Sequence, residues 1–165
     1  MRNSASRLFT KLETPVTEVL FYHLQGQKLE GVLTTLLERS LERGWRVIVQ
    51  AGSDERIEAL DAHLWTYRDE SFLPHGTWRE PEASQHPVLL SADESNPNGA
   101  NVRFLIDSAV LPEDADAYQR IVLVFDGEDE EAVTRAREQW TAAKARGFDA
   151  SYWQPDENGR WVKKV

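Results

Sequence analysis

No cysteine occurs among the 165 residues, which excludes a disulfide framework and a thiolate zinc site and makes a reducing cytoplasm the natural compartment. No apolar run approaches the roughly 20 residues that span a bilayer, so no membrane partner is expected. Positive charge is in short supply: 28 acidic side chains stand against 19 Lys and Arg, a net charge of −9. Gripping a nucleic-acid backbone requires a concentrated basic footprint, so DNA is expected to be reached only indirectly. A glycine-rich phosphate cradle is also missing, because His23-Leu24-Gln25-Gly26-Gln27-Lys28 carries one glycine and neither nucleotide-binding spacing. The histidines His23, His63, His75 and His86 never pair at i, i+4. A metal site would have to be assembled from distant loops, so neither metal nor cofactor is expected.

What is present is an ordinary globular composition of one-domain length, 41% hydrophobic and 28% charged. Glu18 to Leu24 is a nearly continuous apolar run, as in a strand buried on both faces. Leu29, Val32, Leu33, Leu36, Leu37 and Leu41 then recur at helical spacing, ended by Arg43-Gly44. Trp45 to Ala51 is a second buried strand, giving a parallel βαβ start. Ile57, Leu60 and Leu64 mark a further helix that Ser53 or Asp54 can cap.

Residues 76–86 read as a long loop before a strand from His86 to Ser91. The turn cluster Asn96-Pro97-Asn98-Gly99 then leads to a strand from Val102 to Asp107, expected beside the previous one. A loop from Pro112 to Ala117 precedes the strand Arg120 to Asp126. The last helix opens with Glu128 to Glu131 and closes with Lys144 and Arg146 before Gly147, its charges following the helix dipole. Phe148 to Trp153 reads as a final edge strand. The pattern predicts a three-layer α/β/α domain over 16–153 around a central, mostly parallel but mixed sheet, Rossmann-like in topology without its nucleotide motif. Residues 1–15 are expected to be a disordered extension, and 154–165 a tail or short edge strand.

Three places offer chemistry or contact. Asp107 and Asp126 end strands where α/β enzymes place catalytic carboxylates. They are the basis of an alternative reading, a small magnesium-dependent phosphoryl-transfer enzyme, against which Asp126 is also the start of an acidic helix terminus. From 61 to 75 a helix ends and Trp65, Phe72, Leu73 and Pro74 follow with Arg68 and Glu70 at the rim. These residues either fold back over the sheet as a lid or form an apolar patch for a partner, which includes a second copy of the chain. Along the last helix, Arg135, Arg137, Lys144 and Arg146 give basic character to an acidic protein, with Trp140 and Phe148 nearby. Such a rim around an apolar pocket suits an acidic peptide ending in an aromatic residue and a free carboxylate, although Trp140 also lies on the core stripe of Val133 and Ala136.

The sequence resembles the chi subunit family of bacterial DNA polymerase III. The likeness is carried by Leu64-Trp65 followed by Glu70-Ser71-Phe72 and Pro74-His75, by Phe21-Tyr22, by Gly44, Arg46 and Val47, and by Ala136-Arg137-Glu138 with Gly147-Phe148, spanning about Thr17 to Phe148. The resemblance implies a non-catalytic adaptor. Its 64–75 region would dock the psi subunit of the clamp loader through Trp65, Arg68, Phe72, Leu73 and Pro74, with a repair helicase as a further partner, while Glu70, Ser71 and His75 hold the loop's shape. Its last helix would receive the C-terminal tail of single-stranded DNA-binding protein. On that carry-over Arg137 takes a carboxylate, Trp140 walls the pocket, and Lys144, Gly147, Phe148 and Phe125 complete it. Val133 and Thr141 depart from the family by standing where lysines are expected.

Overall fold

A computed structural model describes residues 15–67 and 73–165. Eight strands form one sheet: β1 (Glu18–Leu24), β2 (Val47–Gln50), β3 (His75–Thr77), β4 (Val88–Ser91), β5 (Val102–Leu105), β6 (Arg120–Asp126), β7 (Asp149–Pro155) and β8 (Trp161–Lys163). Their order across the sheet is β3-β4-β2-β5-β6-β1-β7-β8. Every pairing is parallel except β7 with β8, so the sheet is mostly parallel and mixed, as expected.

The three helices are α1 (Leu29–Glu42), α2 (Asp54–Thr66) and α3 (Glu130–Ala145). Ser53 caps α2 by accepting a hydrogen bond from the Arg56 amide. Asp129 caps α3 by accepting from the amides of Glu131 and Ala132, so that helix starts later than Asp126. Gly147 ends α3 with φ +81°, and its amide and that of Phe148 satisfy the Lys144 and Ala143 carbonyls.

Successive strand side chains point to opposite faces, and the buried residues divide accordingly. Leu24, Val47, Val49, Val88, Leu90, Val102, Phe104, Val122 and Val124 join Leu33, Leu36 and Leu37 of α1 and Ile57, Leu60 and Leu64 of α2 in one core. Val19, Phe21, Ile48, Leu89, Leu105, Ile121, Leu123 and Phe125 join Ala136 and Ala143 of α3 in the other. A single helix cannot cover that second face, so Ala83, Ala100, Leu111, Ala115 and Tyr118 from the long connections finish it. Fully buried Arg103 pins those connections: its guanidinium donates to the Gln50 amide oxygen at 2.8 Å, the Tyr118 hydroxyl at 2.8 Å, the Ser95 carbonyl at 3.0 Å and the Asp93 carbonyl. The buried charge is thus held by neutral acceptors.

Two sequence expectations need correction. The strands β4 and β5 are not neighbours, because both pair with β2, one on each side. Residues 75–77, of which 76 and 77 read in the sequence as the start of a long loop, add a short edge strand to β4. Of the two readings of 154–165, tail or short edge strand, the second forms: β7 runs on to Pro155 and turns through 156–160 into β8, which lies at the edge of the sheet beyond β7.

Candidate peptide-docking site

The helix α3 packs against β6, β1 and β7, which lie side by side in the sheet. Arg137, Trp140 and Lys144 are spaced by three and four residues and therefore line one flank of the helix. Trp140 is half-buried. Its ring meets Phe21 edge-on at 5.3 Å between centroids and Tyr152 at 6.2 Å, and the Lys144 ammonium lies 5.8 Å from its centre. The indole is thus both part of the core and part of the surface. Arg137 is exposed, and its guanidinium makes no hydrogen bond or ion pair among the described residues.

Tyr152 joins these groups. Its hydroxyl is hydrogen-bonded to Nδ1 of His23, and its ring stands 5.7 Å from the imidazole and 6.2 Å from Phe125. Burial pushes the Tyr152 phenol above its ordinary pKa, partly offset by a hydrogen bond with Gln154 and by the nearby Arg137 charge. Burial likewise lowers the His23 imidazole, while the Asp126 carboxylate pulls the other way. Gly127 makes room for that imidazole: a Cβ there would fall 1.9 Å from His23 Nε2 and 2.6 Å from the Leu24 carbonyl oxygen. His23, Tyr152 and Gly127 were not singled out from sequence. Their signal was the alternation Val19, Phe21, His23 on one face of β1, masked by the continuous apolar run.

The remaining candidates divide. Phe125 is buried beneath His23 and Tyr152, where it supports the cluster from below. Phe148 packs on the same core, but its ring is capped by the Arg146 guanidinium at 4.9 Å, and that group donates to the Pro112 and Glu113 carbonyls. Arg135 donates to the Ser108 hydroxyl. Arg135 and Arg146 are therefore engaged within the fold, which leaves Arg137 and Lys144 as the cations facing outward. Gly147 acts as the helix terminator.

The second candidate surface is at the end of α2. Trp65 is 54% exposed, with its ring 4.7 Å from that of His75. Leu73 turns inward and is buried in the core with Leu60 and Leu64, so it is not available on the surface, while Pro74 is half-buried. His75 is buried, its Nδ1 bonded to the Leu73 carbonyl at 2.7 Å and its Nε2 3.0 Å from the Asp61 carboxylate. Arg68, Glu70, Ser71 and Phe72 lie outside the described residues.

The strand-end carboxylates are engaged elsewhere. Asp107 pairs with Arg56 at 3.1 Å, and Asp126 accepts from the Glu128 amide at 2.9 Å. Neither belongs to a converging set of three metal-donor side chains among the described residues. No helix among the described residues is long and apolar enough to cross a membrane.

The fold and these contacts define an α/β domain built on one mostly parallel sheet, with an aromatic and cationic cluster on one face and an exposed tryptophan at the end of a helix on the other. Residues 16–151 match the family described as DNA polymerase III chi subunit, HolC, and the chain belongs to that family. It is 23% identical over 111 residues to the probable DNA polymerase III subunit chi of Rickettsia prowazekii (strain Madrid E), covering 64% of this chain and 67% of the relative. Membership makes the chain an accessory subunit of the replicative polymerase.

Proposed function

We propose that the chain bridges the psi subunit of the clamp loader to the C-terminal tail of single-stranded DNA-binding protein. The observation that carries this reading is the grouping of Trp140 and Arg137 beside Tyr152, with Lys144 over the Trp140 ring, at a surface separate from exposed Trp65. Arg137 receives a carboxylate of the acidic tail, Trp140 and Tyr152 flank its aromatic ring, and Lys144 adds charge at the rim. Trp65, with Phe72, anchors psi. Two modest contacts on one scaffold raise the effective concentration of each partner for the other, and can strengthen attachment by about a hundredfold or more. The acidic chain as a whole reaches DNA through a protein rather than directly. The test is capture by this chain of psi and of an acidic peptide ending in Asp-Phe, separately and together. Simultaneous binding of both supports the bridge, whereas mutually exclusive binding rejects it.

A further inference from the structure

The edge of the sheet opposite the docking cluster holds a group of side chains that the adaptor role does not use. Glu80, Glu82 and His86 lie on the connection between β3 and β4, and one donor atom from each falls within 4.8 Å of the others. We propose that these three side chains form a binding site for a divalent first-row transition ion, zinc or a close analogue, completed by water.

The imidazole carries the first part of the argument. His86 Nε2 is shielded from solvent yet has no hydrogen-bond partner, a condition that buried polar atoms rarely tolerate. The nearest carboxylate oxygen, Glu80 Oε1, is 3.7 Å away, too long for a hydrogen bond. Two donors bound to one tetrahedral zinc at ordinary bond lengths stand roughly 3.3 Å apart, so this separation closes on an ion with a few tenths of an ångström of movement. A Cβ at Gly76 would lie 2.2, 2.3 and 2.7 Å from Nε2, Cδ2 and Cε1, so glycine at this point of β3 is what lets the ring sit against the strand.

The carboxylates and the backbone supply the second part. Glu80 uses its other oxygen, Oε2, to accept from the Thr77 amide, which leaves Oε1 for a ligand. The connection itself is fixed. The amides of Glu80, Ala83, Gln85 and His86 each bond a carbonyl three residues back, and the His86 carbonyl accepts from Asn98 at 3.0 Å and Arg46 at 3.2 Å. A His with two carboxylates is an N/O donor set suited to zinc and its neighbours rather than to soft thiophilic ions. Bound there, the ion ties the connection down beside β3, an edge strand of only three residues.

The test uses the full chain stripped with chelator and titrated with zinc chloride by calorimetry, with cobalt(II) as the spectroscopic probe. We expect one zinc per chain, a raised unfolding midpoint because only the folded chain assembles the site, and a cobalt ligand-field band. His86→Gln should abolish the band. Glu82→Gln, which changes an exposed side chain and leaves the fold intact, should weaken zinc by at least about tenfold. Absence of saturable uptake overturns the proposal, as do unchanged zinc affinity in both variants and magnesium binding equal to zinc.

Discussion

His23 and Tyr152 are hydrogen-bonded across the β1–β7 pair, Nδ1 to phenol oxygen. The register sets Phe21 opposite Tyr152, so the bond runs diagonally, one same-face position along β1. It fixes the phenol ring edge-on to Trp140 with Arg137 alongside. The proposed docking cluster is therefore held by strands as well as by α3, and its geometry does not depend on the helix alone.

Arg137→Ala should weaken an acidic peptide ending in Asp-Phe by roughly tenfold or more, the ordinary loss when a charge-assisted hydrogen bond worth about 1.5–3 kcal/mol is removed. Because Arg137 is exposed and makes no contact that holds the fold, the unfolding midpoint should stay within about a degree of wild type, as surface substitutions away from such contacts change stability little. Psi capture should be unchanged. Fluorescence anisotropy of the labelled peptide measures the first effect, and equal affinities for variant and wild type would remove Arg137 from the site.

At the other surface, Trp65→Ala and Leu73→Ala should separate binding from stability. Trp65 is 54% exposed and Leu73 3% exposed. Truncating Trp65 should cost psi capture, commonly by about 2 kcal/mol or more for an aromatic anchor, with little change in melting. Truncating Leu73 should destabilise the fold by about 2–5 kcal/mol. Phe72→Ala should follow Trp65→Ala in a psi pull-down, and retention of psi by both would take this loop out of the interface.

The layered fold was readable because the apolar runs Glu18–Leu24 and Arg120–Asp126 and the stripe from Leu29 to Leu41 each carry the signal of one buried element. Strand neighbours were not readable, since parallel strands are joined by long crossovers and nothing in 92–101 shows that β2 lies between β4 and β5. The three-residue strand β3 is too short to display a period. For the proposed docking cluster, the shared flank of Arg137, Trp140 and Lys144 was legible from helical spacing. Tyr152 and His23 were not, because their meeting depends on the β1–β7 register. Leu73 reads as apolar and next to proline, and only the packing shows that it faces inward.

Gly127→Ala tests how closely the cluster is fitted. The added Cβ would overlap both the His23 ring and the Leu24 carbonyl oxygen at 2.6 Å, and the second of these is backbone that cannot swing aside. Overpacking of this kind commonly costs about 1–3 kcal/mol. Displacing His23 should also release Tyr152, so peptide affinity should fall together with stability. A variant that melts like wild type and binds the peptide equally well would show that the His23–Tyr152 contact is not required for the site.

Protonation of His23 should couple stability to pH. Burial lowers its folded pKa below the ordinary value of 6.5, so between the folded value and 6.5 the unfolded chain holds more protons. Stability therefore falls as pH drops through that window, and levels off below the folded pKa as far as this group is concerned. Above about pH 7 the group contributes no slope. Melting midpoints of wild type and His23→Gln between pH 8 and 5 check this: the wild type should lose more than the variant on acidification, and parallel curves would show that His23 titrates alike in the folded and unfolded chains. The same protonation disturbs the Tyr152 bond wherever Nδ1 is the acceptor, so peptide affinity should weaken over the same window in wild type and not in the variant.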